Sequence, residues 1–315
     1  MKVLITGGAG FIGSNLAARL LDEGHHVTIA DSLDDYYSPE AKRANLAAVA
    51  EHGSFDFHEC DICGEDTAGG IVRQAPPEAI VHLAARVGVR PSLDHPLLYE
   101  RVNVQGTIAM LEAARKAGVP KFILASSSSV YGNTNRVPFS EDDTVNLPMS
   151  PYAATKLAAE KMCIVYAHLY GINITCLRFF TVYGPRQRPD LAIRKFTGLI
   201  DRGLPVPFYG TGETSRDYTY VDDTVTGIMA AIGYRAEPFS VFNLGNSVPV
   251  TLAEMVHTIE DALGKRAILE RLPAQMGDMP VTYADISRAR ECLGYTPATP
   301  FAEGVSRFIE WYRRR

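Results

Sequence analysis

Tyr152 and Lys156 stand one helical turn apart in Tyr152-Ala153-Ala154-Thr155-Lys156, which puts a phenol and an ammonium on the same face. Near the start of the chain, Thr6-Gly7-Gly8-Ala9-Gly10-Phe11-Ile12-Gly13 is a glycine-rich turn able to hold a dinucleotide pyrophosphate. The two together suit hydride chemistry, which needs a bound nicotinamide and a group that moves a hydroxyl proton. Free tyrosine titrates near ~10. The neighbouring lysine and a positively charged nicotinamide both favour the phenolate, so Tyr152 is expected to act as a base near neutrality. Lys156 is expected also to hold the nicotinamide ribose. A hydroxyl from the run Ser126 to Ser129 is expected to hydrogen-bond the reacting oxygen.

The expected cofactor site is spread over several strand ends. Gly7, Gly10 and Gly13 let the backbone approach a pyrophosphate, and Phe11 and Ile12 open a helix whose N-terminal N–H groups face it. Asp31 closes the second strand, where a carboxylate accepts both adenosine ribose hydroxyls and repels a 2′-phosphate. NAD is therefore expected over NADP. Asp61 and Ile62, ending the third strand, flank the adenine. Leu83-Ala84-Ala85, ending the fourth, lets the cofactor pass the sheet edge. Asn103 and Phe179 complete the cofactor-binding set. Cys60-Asp61-Ile62-Cys63 has C-x-x-C form, but no second cysteine pair and no histidine pair at ligand spacing accompanies it, so no metal is expected.

These residues need a scaffold of alternating strands and helices. Apolar runs at Val3–Thr6, His26–Ala30, Phe55–Cys60, Ala79–Leu83, Lys121–Ala125 and Ile174–Phe179 read as buried strands. Phe11–Glu23, Asn103–Ala117 and Tyr152–Tyr170 read as helices. Such alternation predicts an α/β fold, a doubly wound parallel sheet of Rossmann type with a smaller C-terminal α/β substrate lobe. Past Tyr183-Gly184-Pro185 the pattern breaks at Pro189, Pro205, Pro207, Gly210 and Gly212. Tyr220–Ile232 reads as helix and Val241–Leu244 as a strand returning to the first lobe. Helices near Leu252–Leu263 and Ala302–Arg313 follow. The expected division is residues 1–178 with about 219–243 for NAD, and residues 179–218 with 244–315 for a nucleotide sugar.

Composition narrows the class. At 315 residues, with 46% hydrophobic and 21% charged residues, the chain can bury a full core. Net charge is −5 and the isoelectric point near 5.9, which gives no ground for nucleic-acid binding. Membrane association is not expected, since no apolar run approaches a span. The absence of a signal-like start and an odd count of five cysteines fit a reducing cytoplasm.

On Gly7-x-x-Gly10-x-x-Gly13, His82-Leu83-Ala84-Ala85, Ser126-Ser127-Ser128-Ser129-Val130-Tyr131-Gly132, Tyr152-x-x-x-Lys156, Arg178 to Arg186, Arg216-Asp217-Tyr218 and Gly277-Asp278, the chain resembles the extended short-chain dehydrogenase/reductases of the nucleotide-sugar epimerase group. The resemblance runs from Gly7 to Trp311. It implies Ser127, Tyr152 and Lys156 as catalytic residues. It also implies uridine diphosphate contacts near Arg216, Pro207 to Tyr209, and Asp278. The implied reaction is epimerisation at C4 of a UDP-sugar: Tyr152 takes the 4-hydroxyl proton, C4 gives hydride to NAD, and hydride returns to the other face. Both Tyr152 and Lys156 are present, which argues against a non-catalytic NAD sensor on the same fold.

Sister enzymes of the group eliminate water or carbon dioxide and carry acids just before Val-Tyr-Gly, where this chain has Ser128 and Ser129. The serine run, Tyr183 to Asp190 and Gly277 to Asp285 most resemble the UDP-glucuronate 4-epimerases. A C6 carboxylate wants hydroxyls and a guanidinium, and Ser128, Ser129, Thr181 and Arg188 supply them. For Arg186 and Arg188 alike, phosphate binding or a solvated loop stays open as the alternative. Gln275 replaces an arginine of many UDP-glucose epimerases. Thr282 is small enough to admit a bulky C2 substituent, so a UDP-N-acetylhexosamine stands beside UDP-glucose as the alternative substrate. The resemblance further implies a homodimer through helices at Leu97–Ala117 and Tyr152–Tyr170.

Overall fold

The computed structural model describes residues 1–133, 136–273 and 279–314. In chain order its strands are β1 (Lys2–Thr6), β2 (His26–Asp31), β3 (Asp56–Glu59), β4 (Ala79–His82), β5 (Lys121–Ser127) and β6 (Asn173–Phe179). There follow β7 (Thr181–Tyr183), β8 (Pro205–Tyr209), β9 (Ser215–Tyr220), β10 (Phe239–Leu244), β11 (Pro249–Thr251), β12 (Ile268–Leu272) and β13 (Val281–Thr282).

Among the described residues a seven-stranded sheet runs β10-β6-β5-β4-β1-β2-β3, and every pairing in it is parallel. Strand order reverses between β1 and β4, the crevice where doubly wound sheets bind ligands. The central strands are apolar on both faces because helices cover both: Val3, Leu4, Ile5, Ile80, Val81, Phe122 and Ile123 are buried. β3 lies at the sheet edge and is mostly exposed. β10 extends the sheet beside β6, in the register Phe239 to Ile174 through Leu244 to Phe179. A second sheet joins β11, β9 and β13, with β7 also on β9, and β8 pairs with β12 in a third.

The helix Pro151–Tyr170 carries the Tyr-Lys pair. Ser150 caps it by accepting from the Ala153 N–H, Pro151 fills its first turn, and Gly171 ends it in the left-handed region. The predicted helix Asn103–Ala117 is instead a π turn at Arg101–Gln105 followed by an α-helix from Gly106 to Ala117. Within that wide turn Asn103 bonds both the N–H and the C=O of Arg86, an anchor that an unbroken α-helix start does not require. The segment after Gly184, read from sequence as a break, holds the helix Ala192–Asp201 as well as β8 and β9.

Candidate active site

The ends of β1, β2, β4, β5 and β6 open onto one cleft of about 590 Å³. Gly7, Gly10, Phe11, Ile12, Gly13, Asp31, Asp61, Ile62, Leu83, Ala84, Ala85, Ser127, Ser128, Ser129, Tyr152, Lys156, Phe179, Thr181 and Arg188 all line it. Asn103 does not. It is buried behind the wall, bonded to Arg86 and to Thr155 Oγ1. Its place is to hold the loop after β4. Pro207 and Tyr209 on β8, and Arg216 on β9, lie outside the cleft lining, and Asp278 lies outside the described residues. Arg216 Nη1 donates to the carbonyls of Ser215 and Met279. Thr282 on β13 pairs with Arg216 and does not reach the cleft.

The glycine turn fits a dinucleotide. Gly7 has φ +72°, and a Cβ there would sit 2.7 Å from the Ala84 nitrogen. A Cβ on Gly13 would lie 2.4 Å from the Gly7 carbonyl. Side chains at either position would drive the turn away from the strands. The helix Phe11–Asp22 starts with no side-chain cap and no acid in its first turn, so its opening N–H groups stay available to an anion. Asp31 ends β2 with its carboxylate accepting from the Leu33 and Ala9 N–H groups at 2.9 and 3.1 Å, and burial raises its pKa.

Residues that sequence reasoning passed over complete this end. The phenol oxygen of Tyr37 is buried with no hydrogen-bond partner, 3.9 Å from where a Gly10 Cβ would stand. Such an unpaired donor beside the turn suits a phosphate oxygen. Lys42 lies over the Tyr37 ring at 5.0 Å and donates to the Asp34 carbonyl at 2.6 Å. Both stand in or beside the helix Pro39–Ala50, whose signal was present in the sequence as a Ser38 cap followed by Pro39. Lys42, Arg86, Arg101, Lys156 and Arg188 line the cleft against Asp31, Asp34 and Asp61, giving a cationic cavity in a chain of net charge −5.

At the other end Ser127 closes β5 and hydrogen-bonds Tyr152. Its Oγ also donates to Ser129 Oγ at 3.0 Å. Lys156 Nζ donates to the Ala125 carbonyl at 2.9 Å, and burial lowers its pKa to about 8. Here the expected electrostatics need correcting. Burial pushes the Tyr152 phenol above its ordinary value, and the groups that oppose this are Ser127 and Arg188, not Lys156. Burial by itself thus favours the phenol form of Tyr152.

One further correction concerns the loop after β7. Arg186 is neither in the cleft nor simply solvated: its Nη1 donates to the Ser14 carbonyl at 2.9 Å, while Asn15 donates to the carbonyls of Phe11 and Pro185 at 2.9 and 3.1 Å. His82 is buried between Thr6 and Thr107, and burial drops its pKa to about 3. It braces the sheet beneath Leu83-Ala84-Ala85. Burial raises the Cys60 and Cys63 thiols to about 11 and about 12, so both stay protonated.

Residues 4–308 match the GDP-mannose 4,6 dehydratase family. The chain belongs to that family. Within it, a probable UDP-glucuronate 4-epimerase of Rhizobium meliloti strain 1021 is 41% identical over 99% of this chain and 97% of its own length. The UDP-glucuronic acid 4-epimerase from Bacillus cereus, solved with UDP-glucuronic acid and NAD, superimposes with a TM-score of 0.92 at 34% identity, covering 100% and 99% of the two chains. The UDP-glucose 4-epimerase of Thermotoga maritima, solved with UDP-glucose, superimposes with a TM-score of 0.90 at 32% identity, covering 100% and 99%. This member of the dehydratase family has serines in the turn after β5, and the acids lining its described cleft, Asp31, Asp34 and Asp61, come instead from the region of β2 and β3.

Proposed function

We propose that the chain is an NAD-dependent UDP-sugar 4-epimerase that converts UDP-glucuronate to UDP-galacturonate. The observation that carries the sugar assignment is Arg188, a mostly buried guanidinium in the cleft wall whose charge reaches Tyr152, beside a turn of hydroxyls. A neutral hexose gives no use to a buried cation there, whereas a C6 carboxylate does.

The Gly7–Gly13 turn, Asp31, Asp61, Ile62 and Leu83 to Ala85 hold the dinucleotide, with Lys156 and Phe179 at its nicotinamide end. Bound NAD supplies a reversible hydride acceptor for sugar C4. Tyr152 moves the proton of the 4-hydroxyl, and Ser127 holds the same oxygen. The positive charge that accompanies the oxidised cofactor offsets the burial that otherwise keeps Tyr152 protonated. Ser128, Ser129, Thr181 and Arg188 hold the carboxylate. Without an acid in the serine turn, water elimination has no proton donor. Held this way, the 4-keto acid is kept from the geometry that expels carbon dioxide. The diphosphate and uridine extend toward Arg216 and the Pro207–Tyr209 segment. Residues 1–178 with about 219–243 thus serve NAD, and residues 179–218 with 244–315 the nucleotide sugar.

The protein acts as a homodimer. Leu93 and Leu97 are 60% and 83% exposed on the helices Val89–Asp94 and Pro96–Glu100, and Leu169 is 61% exposed on the neighbouring Pro151–Tyr170 helix. Tyr99 packs on Tyr152 and Tyr166 bonds Glu112, so these leucines bare the two ends of one packed helix pair, which supports a symmetric contact along it. No helix among the described residues is long and apolar enough to cross a membrane. An odd cysteine count and a nucleotide-linked substrate support action in the cytoplasm.

The test is incubation of the purified protein with UDP-glucuronate, UDP-glucose and UDP-N-acetylglucosamine, with products resolved by NMR. UDP-galacturonate is the expected main product. A much higher kcat/KM for either neutral sugar, or a UDP-4-keto-pentose as main product, overturns the assignment.

A further inference from the structure

Arg188 is held in place by groups outside the catalytic pair. Its Nε and Nη2 donate side-on to the two carboxylate oxygens of Asp190, at 3.0 and 2.9 Å. The ring of Tyr36 lies against it, 5.6 Å from the guanidinium carbon. The same ring takes Arg86 at 5.4 Å, and Arg86 donates to Asp34 at 2.6 Å. A guanidinium carries five N–H groups in one rigid plane. Asp190 engages one edge of that plane and Tyr36 restrains its tilt. What remains is an end-on fork, Nη1 and the second hydrogen of Nη2.

We propose that Asp190 is a positioning residue that fixes Arg188 so that this fork is presented to the anionic C6 substituent of the sugar beside Tyr152. The proposal rests on the epimerase reading above. A pair that served only to neutralise charge would behave in the opposite way. Removing Asp190 would then leave a stronger cation in the cleft, and anionic sugars would bind more tightly. If Asp190 positions Arg188, its removal lets a long side chain leave the wall, and the substrate loses a charge-assisted contact.

The groups that face Tyr152 are Ser127 by hydrogen bond, Arg188 and Tyr36 by charge, and Tyr99 edge-on at 6.2 Å. Lys156, one turn along, is committed to the Ala125 carbonyl. Arg188 is thus the cation whose departure Tyr152 would register.

In the NAD-loaded enzyme, Asp190→Ala should raise KM for UDP-glucuronate about tenfold or more while plateau kcat changes less than about threefold. The acid limb of its kcat/KM profile should move to higher pH. Binding of UDP-glucose, measured by competition, should stay within about twofold. Asp190→Glu should restore most of the loss, and Asp190→Asn, equal in size with one acceptor oxygen, should fall between. An unchanged or lower KM with an acid limb that stays or moves down overturns the proposal. If wild-type protein does not turn over UDP-glucuronate, the substrate reading fails and positioning is read separately. Ultraviolet difference titration of the holoenzyme against a Tyr152→Phe blank should then still show Tyr152 titrating higher in Asp190→Ala, and no change there sinks the positioning role.

Discussion

Tyr152→Phe removes one oxygen from a buried ring and nothing from the packing around it. The variant should keep its fold and its NAD yet lose turnover by about 10³-fold or more, because the proposed base is gone. Ser127→Ala takes away one hydrogen bond and should cost less, about 10- to 100-fold. Single-turnover assays followed by NMR distinguish the two, and a near-native rate in Tyr152→Phe removes the proposed base. A different residue-scale effect comes from His82. Its pKa is about 3 in the folded chain against an ordinary 6.5. Because the folded value is depressed, the unfolded chain takes up the proton first as pH falls. The stability tied to neutral His82 is therefore complete above about pH 6.5 and declines by about 1.4 kcal/mol per pH unit toward pH 3. Urea unfolding of His82→Gln between pH 6 and 4 should show a slope flatter by about one proton, and an identical slope would contradict this origin.

The helix that carries Tyr152 and Lys156 is locked to the sheet by a buried pair outside the proposed chemistry. Arg178 on β6 donates twice to Glu160, at 3.0 and 2.9 Å, and Ser126 on β5 donates to the same carboxylate at 2.5 Å. Glu160→Ala leaves a buried guanidinium without its partner and should cost about 3–5 kcal/mol. Because Glu160 lies one turn beyond Lys156, the surviving protein should also lose activity by tilting the Tyr-Lys face. Thermal unfolding with and without NAD measures both, and a shift in Tm of only a degree or two would refute the locking role. Elements with strong local signals were readable from sequence. β1, β4 and β5 hold unbroken apolar runs, β2 and β6 alternate apolar residues with threonine, the glycine turn carries its own spacing, and the Tyr152 helix carries its own cap. β7, β11 and β13 were not, because strands of two or three residues owe their pairing to β9 rather than to their own pattern. The helix Pro39–Ala50 buries Lys42, Asn45 and Val49, a stripe too polar to register by periodicity. Tyr36 and Tyr37 were missed with it, since what brings them to the cleft is the loop's return across the end of β2. Arg188 could be named from its type, whereas Asp190 becomes visible only once the loop is folded back on itself.

At the scale of the whole molecule, the bared leucines give the clearest test. Leu97→Glu with Leu169→Glu places like charges on the two faces proposed to meet in the dimer. Sedimentation should show the wild type near twice the chain mass and the double variant as a monomer that retains NAD. A wild type that sediments as a monomer at micromolar concentration refutes the contact. A second consequence follows from the hydrogen bonds that tie Asn15 to the Pro185 carbonyl and Arg186 to the Ser14 carbonyl. Attempts to redirect the enzyme toward another sugar by transplanting the Gly184–Asp190 loop from a relative treat that loop as a cassette. Its foundation, however, is the first helix of the dinucleotide half. A graft that brings the loop but not a matching residue at position 15 inherits foreign walls on an unmatched base, so preference for the sugar and retention of NAD should fail together.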